Sequence, residues 1–193
     1  LLGIQFSDMV ISYIGKEYPQ YEGKTISQIA QMEKQSEIDT YLYLVDISKG
    51  KGRMMLGKYY NEDIIAKLMQ DDMSIYMTDA WYEESGTQNG GTFQAFPFFI
   101  QKANKLDIPL EHTIHKMTGQ TAQRFKIHNR GFIKPGYYAD ITIFDDQNIQ
   151  IDLDNPNTTP IGIHHVFING TQVVDNGTYK TAYPGLILRK NNE

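Results

Sequence analysis

Asp79 follows Ser74-Ile75-Tyr76-Met77-Thr78, a segment whose alternation reads as a strand. A carboxylate between a strand end and a loop can take a proton from water and hand it to a leaving group. By residue type alone it is a turn or capping residue. The histidines are the other titratable candidates, and their spacing limits them. His112 and His115 lie three apart on one side of a helix and can in principle bracket a metal ion, although an exposed helix face carries the same pattern. His164 and His165 are adjacent in a strand, so they point to opposite faces and cannot share one ion. His128 follows a helix end and reads as a surface or capping residue. Gln88 and Asn89 can hydrogen-bond a neutral group, or form an ordinary turn with Gly90 and Gly91. Trp81 and Tyr82 follow Asp79 directly and are the aromatics placed to line a pocket beside it.

The elements that must position these residues follow from periodicity. Residues 6–13 read as a strand. Thr25 with Gln28 forms a capping box before a helix through Ala30 and Met32. Ser36 starts a second helix with Ile38, Tyr41, Leu42 and Val45 on one stripe, and 53–60 reads as a short strand. Asn61 caps a helix that carries Glu62 and Asp63 in its first turn and Ile64, Ile65, Leu68 and Met69 inside. Residues 80–92 have no regular period and form a loop of the kind that borders a site. Pro97 fits the first turn of a helix through Lys105, and a further helix after Pro109 carries the stripe Leu110, Ile114, Met117. From about residue 118 the texture turns to period two, and Asn169-Gly170 reads as a type I′ hairpin turn.

The 193 residues, 40% hydrophobic and 12% aromatic, can bury a core as one domain or two small ones. A net charge of -5, with no basic run longer than 49–53, argues against a nucleic-acid partner. The apolar run over 95–100 is broken by Pro97 and falls far below the roughly 18 residues needed to span a bilayer, so no membrane partner is expected. The absence of cysteine excludes a disulfide framework and thiolate chemistry within the chain, and fits a cytoplasmic protein. The opening Leu1-Leu2-Gly3-Ile4 has neither an initiator methionine nor the basic start of a signal peptide and reads as a chain entered in the middle.

The stretch Arg-Gly-Phe-Ile-Lys-Pro-Gly-Tyr-Tyr-Ala-Asp-Ile-Thr-Ile-Phe-Asp over 130–145 couples a Pro135-Gly136 turn to an alternating strand. Upstream stand Asp8-Met9-Val10-Ile11-Ser12, Gly23-Lys24-Thr25-Ile26, Gly91-Thr92-Phe93 and Lys116-Met117-Thr118-Gly119. Downstream come Phe167-Ile168-Asn169-Gly170 and Pro184-Gly185-Leu186-Ile187. Each motif is weak alone. In this order, over nearly the whole chain, they resemble the N-acyl-D-amino-acid deacylases, or D-aminoacylases, of the amidohydrolase superfamily.

The resemblance implies an α/β fold: the C-terminal part of a TIM-like metal-dependent hydrolase barrel followed by strands of a small β-domain, with the barrel incomplete in this chain alone. Residues 1–117 would be the end of the barrel domain, with an inserted segment and the last strand. Residues 118–193 would be a connecting helix and the small β-sandwich-like domain. Asp79 then matches the family's catalytic aspartate after the last barrel strand, a proton shuttle and a possible metal ligand. Trp81, Gln88 and Asn89 become substrate-binding candidates. The implied cofactor is a divalent metal, zinc, whose other ligands are not in this chain. The implied partners are a small N-acyl amino acid or related amide, and the remainder of the barrel, upstream or on another chain. The loop departs from the family pattern. Where D-aminoacylases commonly carry His-Pro-Arg before Gly-Thr-Phe, this chain has Ser85-Gly86-Thr87-Gln88-Asn89-Gly90, and no arginine occurs between Arg53 and Arg124. Recognition of a free carboxylate by this loop is therefore not expected. The alternatives are a cyclic-amide hydrolase of the dihydroorotase or hydantoinase kind, and a non-catalytic piece that folds with a partner chain.

Overall fold

Two hydroxyl side chains start the first two helices of the computed structural model, which describes residues 3–57 and 61–189. The Thr25 hydroxyl accepts from the Gln28 amide at 3.1 Å while the Gln28 side chain accepts from the Thr25 amide at 2.8 Å, the reciprocal box expected before helix α1, Ile26–Glu33. Ser36 caps α2, Glu37–Ile47, with its hydroxyl accepting from the Asp39 amide at 3.1 Å. Leu1 and Leu2 of the expected mid-chain start, and residues 58–60 of the expected strand, lie outside the described residues.

The chain divides into two compact units, Leu1–Glu62 with Ala80–Thr92, and Asp63–Asp79 with Phe93–Glu193. In the first, strands β1, Met9–Tyr13, and β2, Arg53–Leu56, pair antiparallel with Tyr13 opposite Arg53. The expected strand over 6–13 is shorter at its start, because Phe6–Asp8 coil into a 3-10 turn closed by the Asp8 side chain on the Gln5 amide at 2.9 Å. Ile11, Ile14, Tyr21, Ile26, Ile29 and Leu44 form the core. The stripe expected inside α2 is corrected: Ile38, Leu42 and Val45 are exposed, and Thr40 and Leu44 are buried. Burial follows the side another element covers, and α2 meets the core through Leu44, Tyr41, Tyr43 and Ile47.

In the second unit, helices α3, Glu62–Gln70, α4, Gly91–Lys105, α5, Leu110–Met117, and α6, Gly119–Arg124, accompany an antiparallel sheet. Its order is β3, Ile141–Phe144, then β4, Ile163–Ile168, β5, Thr171–Asp175, and β6, Thr178–Tyr179. The hairpin is as expected: Asn169 and Gly170 both have positive φ, 49° and 79°, which a type I′ turn demands. On α3 only Met69 of the expected inner face is fully buried, and Ile64 and Leu68 are exposed. Helix α4 begins six residues before Pro97, which lies inside it, and not at the proline. Asn89 and the two glycines start that helix, so the position that suits proline in a first turn is not the one it occupies. These small, open sheets form a mixed α/β architecture.

Candidate functional site

Asp79 is exposed at the end of 74–79, which joins no strand ladder among the described residues. The expected strand is therefore corrected to a segment outside any strand ladder of the described residues, because a strand requires a neighbouring strand to take its backbone hydrogen bonds in series. Side chains still alternate along it. Tyr76 is buried, stacked on Phe99 at 4.4 Å between ring centres, and donates its hydroxyl to the Met69 carbonyl at 3.1 Å. Burial pushes the Tyr76 phenol upward in pKa. Met77, on the face of Asp79, is 66% exposed. What holds the segment is Lys116, whose ammonium donates to the Met69 carbonyl at 2.8 Å, to the Asp71 carbonyl, and to the Ser74 hydroxyl at 3.0 Å.

The loop after Asp79 is organised around Glu83. Its carboxylate pairs with the Arg53 guanidinium and accepts from the Trp81 indole at 2.6 Å. Its amide donates to Gln88 Oε1 at 3.0 Å, and its carbonyl accepts from Gln88 Nε2 at 2.7 Å. Gln88 is thus only 5% exposed, with its amide on the Glu83 main chain. Asn89 accepts from the Gly91 amide at 2.8 Å through its side chain, an Asx arrangement that starts α4. Trp81 is 65% exposed, and its carbonyl accepts from the Thr92 hydroxyl at 3.0 Å. Trp81, Gln88 and Asn89 therefore share one loop in the first unit, whereas Asp79 closes a segment of the second.

Sequence reasoning missed Arg53 and Glu83, which are thirty residues apart and joined by no local spacing rule. Arg53 also donates to the Ser85 carbonyl and lies over the Tyr13 ring at 4.9 Å. Gly86 has φ +84°, and a Cβ there would meet the Ser12 carbonyl oxygen at 2.3 Å, so this close approach requires glycine.

The histidines do not converge. His112 faces Asp72 at 3.6 Å, while His115 lies 6.1 Å from Phe132 between ring centres. His164 and His165 have ring centres 6.5 Å apart, and His165 pairs with Asp175 at 3.3 Å. Among the described residues no group of three or more His, Cys, Asp or Glu could hold a metal ion. The residues present do not make a metal centre by themselves. A cleft of about 760 Å³ in the second unit, lined by Phe96, Ile100, Leu110, Ile114, Phe132 and Ile141 among others, includes His115 but not Asp79, Trp81, Gln88 or Asn89. No helix of the described residues is long and apolar enough to cross a membrane.

The profile of the amidohydrolase family matches residues 72–174, more than half of the chain. The chain belongs to the amidohydrolase family. Two relatives from Alcaligenes xylosoxydans xylosoxydans are similar to part of this chain. A D-aminoacylase is 34% identical over 42% of this chain and 17% of its own length, and an N-acyl-D-aspartate deacylase is 37% identical over 42% and 17%. An adenine deaminase of Oceanobacillus iheyensis is 29% identical over 72% of this chain and 23% of its own. Among solved structures, a D-aminoacylase mutant in complex with copper chloride superposes with a TM-score of 0.79 at 24% identity, covering 94% of this chain and 38% of that one. An N-acyl-D-glutamate deacylase from Bordetella bronchiseptica, complexed with zinc and a phosphonate inhibitor, gives 0.71 at 20% identity, covering 88% and 35%. These two likenesses establish the fold. The amidohydrolase segment thus spans about a fifth of the curated relatives it matches and just over a third of the solved chains.

Proposed function

We propose that the protein carrying this segment hydrolyses a C–N amide bond of a small N-acyl amino acid or related amide, with Asp79 as its proton carrier. The observation that carries the reading is the position of Asp79: an exposed carboxylate inside the family-matched span, at the end of a held segment and directly before the loop that ends in Gly91-Thr92-Phe93. Its carboxylate takes a proton from the attacking water and returns it to the leaving nitrogen. Trp81, with its exposed indole, lines the substrate side of the loop. Gln88 and Asn89 act beside the substrate by shaping that loop, since Glu83 and Gly91 engage their side chains.

The wider architecture belongs to the same proposal. Residues 1–117 would complete a TIM-like barrel with the rest of the protein, 118–193 would form the small β-domain, and the protein would work in the cytoplasm. A divalent cation, zinc by the precedent of the N-acyl-D-glutamate deacylase, would take ligands from outside the described residues, with Asp79 the one candidate ligand here. Asp79→Asn in the full-length protein tests the reading. Turnover of an N-acyl-D-amino acid should fall by about two to four orders of magnitude with an unchanged fold. Near-normal turnover with an intact structure would reduce Asp79 to a turn residue.

A further inference from the structure

Lys116 is a buried titratable group that the proposed reaction does not use. It is 0% exposed, yet its ammonium meets three oxygens: the Met69 and Asp71 carbonyls and the Ser74 hydroxyl. An ammonium has three N–H donors and no acceptor, so this set satisfies it completely, which a buried charge requires. Desolvation lowers the Lys116 pKa, and the charges of Asp72 and Asp71 oppose that shift.

The same residue also holds the segment through its backbone. Its carbonyl accepts from the Tyr76 amide at 3.5 Å, and its ammonium lies 5.6 Å from the centre of the Tyr76 ring. Nearby, Gln120 donates to the Asp72 carbonyl at 2.7 Å. Lys116, with Gln120 beside it, therefore ties the stretch after α3 down to Tyr76 where a strand would be tied by a ladder, and Asp79 follows three residues beyond Tyr76.

We propose that Lys116 is a positioning residue. It fixes the segment before Asp79 so that the Asp79 carboxylate is presented in one place, and it touches neither substrate nor reacting atoms. The inference rests on the reading of Asp79 as proton carrier.

The test is a double-mutant cycle in the full-length protein. Lys116→Met is made alone and together with Asp79→Asn, and kcat and KM are measured on an N-acyl-D-amino acid. Lys116→Met should lower kcat about ten- to hundredfold with KM changed by less than about threefold, as expected when a reacting group is displaced by an ångström. On the Asp79→Asn background it should lower kcat by less than about threefold, because the group it positions is already gone. An equal loss in both backgrounds, or a lower melting temperature with unchanged kcat, would overturn the proposal. Should Lys116→Met fail to fold, Ser74→Ala, which removes one of the three acceptors, enters the same cycle under the same criterion. Near-normal turnover of Asp79→Asn alone overturns both this inference and the role of Asp79. A large loss in Asp79→Asn with additive effects overturns this inference only.

Discussion

The guanidinium of Arg53 is paired with the carboxylate of Glu83, thirty residues further along the chain. The loop has no arginine of its own, and the one that reaches it comes from strand β2 and is paired with a carboxylate. The carboxylate and the Ser85 carbonyl occupy the guanidinium fork that would otherwise meet an anionic ligand.

Substrate preference should reflect that pairing. If the proposed activity holds, the full-length protein is expected to favour a free N-acyl-D-amino acid over its carboxamide by less than about a hundredfold in kcat/KM, roughly 2.7 kcal/mol. Glu83→Gln, which keeps an acceptor for Trp81 but removes the charge facing Arg53, should shift the ratio toward the free acid. Comparing kcat/KM for the two substrates in both proteins decides it, and an unchanged ratio in the variant would remove Arg53 from substrate choice.

Gly86→Ala should destabilise the first unit. The residue would have to leave φ +84° or drive its Cβ into the Ser12 carbonyl, beside the Thr87 amide bond to that same oxygen at 2.8 Å. Holding a non-glycine residue in such a conformation costs about 1–3 kcal/mol before the clash is counted. Thermal unfolding measures it, and a melting temperature equal to the parent's would show that the loop relocates freely.

Alkaline pH should weaken the same unit through Tyr21. This phenol is 3% exposed and donates to Glu33 Oε1 at 2.8 Å. Burial and that hydrogen bond raise its pKa far above the ordinary 10.0. Because the folded pKa lies above the unfolded one, the contribution is fully present below pH 10.0 and is lost as pH rises beyond it. Tyr21→Phe should cost about 0.5–1.5 kcal/mol at neutral pH, the net worth of one hydrogen bond, and should flatten the alkaline decline. Denaturant unfolding at pH 7 and above pH 10 provides the comparison, and parallel declines in both proteins would rule Tyr21 out as the cause.

The isolated chain should neither retain a stoichiometric divalent metal through dialysis nor turn over an amide substrate, because its histidines have separate partners and Asp79 stands without a second convergent ligand among the described residues. Elemental analysis of the dialysed chain, run beside a hydrolysis assay, is the measurement. Bound zinc together with turnover would contradict it.

The local chemistry was readable from sequence wherever a contact spans a few residues. The Thr25–Gln28 box, the helix start at Ser36 and the Asn169-Gly170 hairpin needed only neighbours to form, and each formed as expected. The ordered motifs from Asp8 to Ile187 likewise carried the family resemblance. Burial did not follow from periodicity, because an apolar stripe such as Ile38, Leu42 and Val45 is inside only where another element covers it. The segment before Asp79 alternates like a strand, yet strand pairing is a property of two segments, and among the described residues 74–79 joins no ladder. Its substitute, Lys116 on Met69, Asp71 and Ser74, spans more than forty residues, as the Arg53 to Glu83 pair spans thirty. Such contacts depend on how the chain returns to itself, and no spacing rule in the sequence encodes that, so tertiary structure alone decided them.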